Sequence, residues 1–201
     1  MRGLRHEQGF TMMDILIAVA LVAIVTAMAI PMADSASRGF RMKGDAQSLA
    51  NTVALAKMRA ASRFSRTRVY ADLNANTYRL EVWDKTAGAW VIDGGTVPLS
   101  NGVSFGFSGL ATPPPNTQDA IGQSPSCTGP NSLTDDTVDN TACIVFNSRG
   151  VPVDNTTAGA PTGGNALYIT DGTGVHATTV TATPLVRQWW SNASAAGWVL
   201  Q

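Results

Sequence analysis

Histidine, cysteine and charge are all scarce in this chain of 201 residues. It has two histidines, His6 and His176, two cysteines, Cys127 and Cys143, and 14% charged residues. Neither histidine is spaced to complete a Cys/His metal site. Lys+Arg and Asp+Glu number 14 each, so net charge is zero and the total implies no general affinity for nucleic acid. No Gly-x-Ser-x-Gly elbow, phosphate loop or His-Glu-x-x-His pair occurs. Hydrolase, nucleotide and zincin chemistry therefore lack the residues they need. No enzyme activity, catalytic residue, cofactor or metal is expected.

Charge is missing altogether from Ile15 to Ala33, where Thr26 is the main polar interruption and Pro31 stands near the end. About 20 helical residues span a ~30 Å hydrocarbon core, so the run is just long enough. Arg2 and Arg5 precede it, opposed only by Glu7, and basic flanks stay on the cytoplasmic side. A secretory signal peptide would have an apolar core of roughly 7–15 residues and a small-residue cleavage site after it. Here the core is longer and the glycine, Gly9, comes before it. A plain signal anchor fits the length but gives no reason for Asp14 at the edge of the run. An ion placed in lipid usually has a named partner.

Gly9-Phe10-Thr11-Met12-Met13-Asp14, the apolar run and Pro31 resemble the N-terminal signal of type IV pilins and type II secretion pseudopilins. The resemblance implies that a prepilin peptidase cuts between Gly9 and Phe10 and methylates the new N-terminus of Phe10. The mature chain would then have 192 residues (201 minus 9). In that family the fifth mature residue is normally Glu, whose carboxylate pairs with the N-terminal ammonium of a neighbouring subunit during filament assembly. Asp14 stands there in this chain, which keeps the charge and shortens the reach by about 1.3 Å. Pairing an ammonium with a carboxylate relieves the cost of both in the bilayer, a physical reason for a polymerisation switch.

Beyond Pro31, Leu49, Val53, Ala56, Ala60 and Phe64 recur at helical spacing and define one apolar stripe. Residues 10–33 are therefore expected to form a transmembrane and assembly helix, and 34–66 an amphipathic stalk helix. Pro31 and Gly39 are the expected bend points. Eight of the fourteen basic residues fall between Arg38 and Arg68, with Asp45 the one acid in that window. They are either solvated helix positions and subunit contacts, or a stripe for phosphates or an anionic membrane.

Residues 67–201 read as sheet. Arg68–Leu73 and Tyr78–Trp83 alternate with period two around Asn74-Ala75-Asn76-Thr77, a hairpin pattern. Short strands are expected at 89–92, 103–107, 143–147, 166–170, 175–180 and 185–190. Residues 111–142, opening with Pro113-Pro114-Pro115 and rich in Ser, Thr, Asn and Asp, read as a long surface loop inserted between strands. The pattern Cys143…Phe146-Asn147-Ser148-Arg149-Gly150, then Ala166–Ile169, then Gly172…Val186-Arg187 resembles the C-terminal half of the GspH/FimT family. The implied fold is α+β and type IV pilin-like: a long N-terminal helix packed on an antiparallel sheet domain. The implied setting is the bacterial inner membrane, single-pass, with a cytoplasmic N-terminus and a periplasmic domain. From there the subunit would pass into a type II secretion pseudopilus or a type IV pilus. The implied partners are other pilins or pseudopilins, prepilin peptidase and, before assembly, inner-membrane lipid. Some FimT proteins bind DNA through a Gly-Arg-x-Arg loop. The corresponding Thr183–Arg187 keeps only Arg187 and lacks the Gly-Arg pair, so DNA or surface binding is the alternative.

In an exported domain, an even cysteine count favours a Cys127–Cys143 disulfide, with metal binding as the other use. Asp135, Asp136 and Asp139 are either a solvated loop or oxygen ligands for a cation. Trp189, Trp190 and Trp198 are either core and interface packing or a stacking platform for a ligand.

Overall fold

A computed structural model describes residues 11–134, 136–154 and 159–201, without the side chains of 28–36, 195 and 196. Gly9 and Phe10 lie outside the described residues. The chain divides into two units, Met1–Gly39 and Phe40–Gln201.

Among the described residues one helix, α1, spans Met12–Arg63. In the first unit its large apolar side chains from Met12 to Val25 are all more than half exposed, from 53% at Ile17 to 82% at Met12. Among the described residues no helix is long and apolar enough to cross a membrane.

In the second unit, Met42, Ala46, Leu49, Val53, Ala56 and Ala60 are buried. Their spacing puts them on one helical face, and the alanines let neighbouring backbone approach closely. Phe64 does not belong to that face: it is 73% exposed. It ends the helix at φ 49°, while the Ser65 N–H donates to the Ala60 carbonyl at 3.3 Å. This is a Schellman ending with phenylalanine in the left-handed position usually held by glycine.

Among the described residues ten antiparallel strands follow: β1 Thr67–Asp72, β2 Thr77–Asp84, β3 Ala89–Pro98, β4 Ser104–Phe105, β5 Thr141–Phe146, β6 Pro152–Val153, β7 Asn165–Thr170, β8 Gly174–Val180, β9 Val186–Asn192 and β10 Ala195–Leu200. They form two five-stranded sheets, ordered β3-β2-β1-β5-β6 and β10-β9-β8-β7-β4. Inward residues of both sheets, among them Val69, Ala71, Leu80, Ile144, Phe146, Leu167 and Ile169, close on the α1 stripe in one core. The fold is thus α+β with antiparallel sheets.

The segment 111–142 is not a plain surface loop. Its last residues already belong to β5, and the rest covers the outer faces of both sheets. Ile121, with Leu110 and Phe107 just before the segment, packs on Ala166, Tyr168, Ala177 and Trp189. Cys127 and Leu133 pack with Trp90, Cys143 and Val145. The segment also occupies strand edges: Ser124 N–H donates to the Ala166 carbonyl at 2.8 Å, and Cys143 N–H donates to the Pro125 carbonyl at 2.9 Å. Turn-forming residues without regular pairing thereby satisfy backbone groups that β5 and β7 would otherwise leave open.

Candidate assembly site at the helix start

Thr11 and Asp14 form a reciprocal cap. The Asp14 N–H donates to Thr11 Oγ1 at 3.3 Å, and the Thr11 N–H donates back to Asp14 Oδ2 at 3.0 Å. Thr11 Oγ1–H also donates to Asp14 Oδ2, at 2.8 Å. This is a capping box with aspartate at its third helical position. An anion there also faces the positive end of the helix dipole. The Asp14 carboxylate is exposed and stands four positions after Phe10 in the sequence. Its described partner is therefore Thr11 of its own chain.

The other sequence candidates separate. Cys127 and Cys143 are joined in a disulfide with Cα atoms 4.9 Å apart, tying the covering segment to β5. Arg187 is exposed on β9, opposite Thr179 of β8. The preceding turn receives a second cation, since Lys57 Nζ donates to the Pro184 carbonyl at 2.9 Å. Trp189 and Trp198 are packing residues: their indole N–H groups donate to Thr179 Oγ1 and the Thr112 carbonyl. Trp190 is 38% exposed on the other face. Asp135 lies outside the described residues, and among those described no His/Cys/Asp/Glu group is arranged to hold a metal.

The basic stripe does not stay together. Arg63 donates to Asp93 Oδ1 at 3.3 Å, and Arg59 Nε lies 3.1 Å from Oδ2 as an ion pair without hydrogen-bond alignment. Arg68 leaves the stripe altogether and is 2% exposed. Its Nε donates to Glu81 Oε2 at 2.6 Å and its NH1 to the Thr128 carbonyl at 2.8 Å, while the guanidinium stacks 4.3 Å from the Trp90 ring. Burial lowers its pKa, opposed by the charge of Glu81. Arg79 braces the same carboxylate from the surface side at 2.7 Å. Period two does place Glu81 away from Leu80 and Val82, but nothing local in the sequence says that the covering segment shuts that face from water.

No family model matches the chain, and no curated protein is similar to it. Among solved structures it is similar to the minor pseudopilin EpsH from the type 2 secretion system of Vibrio cholerae, with 14% identity and a TM-score of 0.36. The match covers 80% of this chain and 96% of that one. At that TM-score the functional reading rests on the chain's own residues.

The helix start presents a capped carboxylate beside exposed apolar side chains on every face, and an all-round apolar helix needs a protein or lipid environment to cover it.

Proposed function

We propose that the chain is a minor pilin or pseudopilin, cut between Gly9 and Phe10, methylated at Phe10 and held first in the inner membrane through residues 10–33. It then joins a type II secretion pseudopilus or type IV pilus through the same helix. The observation that carries this reading is Asp14, a carboxylate fixed at the start of a helix whose apolar side chains are exposed all round. In the assembled filament the Phe10 ammonium of a neighbouring subunit replaces Thr11 as its partner, or shares it. Two charges that each cost free energy in lipid thereby become one pair.

Replacing Asp14 with Ala tests this. The variant is expected to be cut and methylated normally, as read by intact mass, yet to be absent from sheared or cross-linked filaments. Asp14→Glu should assemble. Normal incorporation of Asp14→Ala would remove the ion pair from the account, and an uncut wild-type chain would remove the processing step.

DNA or surface binding on the same scaffold is the second reading. It rests on Arg187 being exposed beside the turn that Lys57 contacts.

A further inference from the structure

Between α1 and the strands β8 and β9 lies a cavity of ≈ 320 Å³, lined by Lys43, Gln47, His176 and Gln188 with Ala46 and Gln201. His176 forms its floor. The residue is on the inward row of β8, paired with Ile169 of β7 and Trp190 of β9, and is only 9% exposed. Burial and the charges of Lys43 and Asp171 act on its ring. Lys43, one turn of helix before Gln47, is exposed at the rim and has no salt-bridge partner among the described residues. Gln188 is fixed by donating to the Ala46 carbonyl at 2.9 Å, and Gln47 Nε2 donates to Asn51 at 3.4 Å. Among the described residues no acidic side chain lines the cavity.

The arrangement is a lysine ammonium and an imidazole facing one polar hollow. We propose that this cavity binds a single carboxylate, with Lys43 supplying the charge and the His176 ring N–H the directed hydrogen bond. A monoanion suits it better than a phosphate. One lysine balances one negative charge, and Asp171, the acid whose field reaches His176, would repel a second. The site lies wholly in the unit Phe40–Gln201, so it stands or falls apart from the proposed filament assembly.

Burial, and then Lys43, hold the His176 pKa below the ordinary histidine value, while Asp171 pulls the other way. A bound carboxylate must move it up, since an opposite charge favours the imidazolium. The experiment is a histidine-ring NMR titration of the full chain in detergent micelles, with acetate added against chloride at fixed ionic strength. His176→Gln separates the His176 signal from that of His6. Acetate is expected to shift the His176 titration saturably to higher pH, and chloride is not. Lys43→Gln, at an exposed position, should weaken acetate about tenfold, as loss of a charge-assisted hydrogen bond does. A capped Ala-Glu-Ala peptide distinguishes the sources of the carboxylate. Tighter binding than acetate points to an acidic side chain of a protein partner, and equal or weaker binding to a free small acid. No saturable shift with either probe, or the same affinity in Lys43→Gln, overturns the proposal.

Discussion

Removing either end of the buried Arg68–Glu81 pair should damage the globular unit more than any other single polar change in it. Arg68 is 2% exposed and Glu81 4%, so truncating one leaves the other's charge in a low-dielectric space. Loss of one partner of such a pair costs about 3–5 kcal/mol. The two truncations are not equivalent. Arg68→Ala leaves Glu81 still paired with Arg79 at 2.7 Å, so it belongs near the lower bound, about 3 kcal/mol. Glu81→Ala strands Arg68 among Trp90, Tyr70 and the Thr128 carbonyl, and belongs near the upper bound, about 5 kcal/mol. Arg79→Ala, at a partly exposed partner, should cost about 1 kcal/mol or less. The double variant Arg68→Met/Glu81→Leu should recover much of the loss, because no charge is left unpaired. Urea unfolding followed by tryptophan fluorescence reads this directly, since Trp90 touches the guanidinium and Trp83 touches Trp90 at 5.4 Å between centroids. A coupling energy in the double-mutant cycle below about 0.5 kcal/mol, or Arg79→Ala as harmful as Glu81→Ala, would refute the reasoning.

Phe64→Gly should raise stability by about 1 kcal/mol, because the side chain is exposed and the left-handed position penalises a Cβ; thermal unfolding checks it. Opening the Cys127–Cys143 link by the double serine variant should cost roughly 3 kcal/mol, given a separation of 16 residues. The same change should speed proteolysis within 111–140 before the strands are cut. Stability should also fall on mild acidification through His176. Its folded pKa lies below the unfolded value of 6.5, so beneath 6.5 the unfolded chain binds more protons and stability declines as pH drops toward the folded pKa. Above 6.5 that contribution is flat, and His176→Gln should flatten it throughout. If DNA is bound at the Arg187 turn, the two cations there predict a salt slope of about −2 at most. Filter binding across a salt series measures it.

What the sequence discloses depends on whether the information is periodic. Leu49, Val53, Ala56 and Ala60 announce the buried helix face because helical spacing is a property of side chains alone. The Thr67–Asp84 hairpin is legible for the same reason, through period two and an Asn-rich turn. The covering role of 111–140 is not legible. Many of its contacts are made by backbone carbonyls, such as those of Pro125, Thr128 and Ser132, and those are the same atoms in every residue. Arg68 misleads by position: it follows Arg59, Arg63 and Arg66 in the chain, yet it is the first inside β1, on the row opposite the core-facing Val69 and Ala71, which the covering segment closes from solvent. Phe64 misleads differently, extending the helical stripe by one more interval while the chain has already turned out of the helix. At the candidate site, the charge of Asp14 was plain from the sequence. Its capping geometry needed the Thr11 hydroxyl in place.

The alanine floor of α1 has a consequence for how such a chain can change. Ala56 and Ala60 are fully buried, and Thr67 Oγ1 donates to the Ala56 carbonyl at 2.7 Å across the same contact. Any larger side chain there must push against β1 at its hydrogen-bonded closest approach, so mutational drift is confined to residues no bulkier than serine. The covering segment is held through main-chain groups, one cross-link and a few side chains such as Ile121, Leu133, Gln118 and Gln123, and its remaining exposed positions are free to vary. Divergence should therefore collect on the outside of the sheets, where a new surface can be tried without disturbing the helix that carries the subunit.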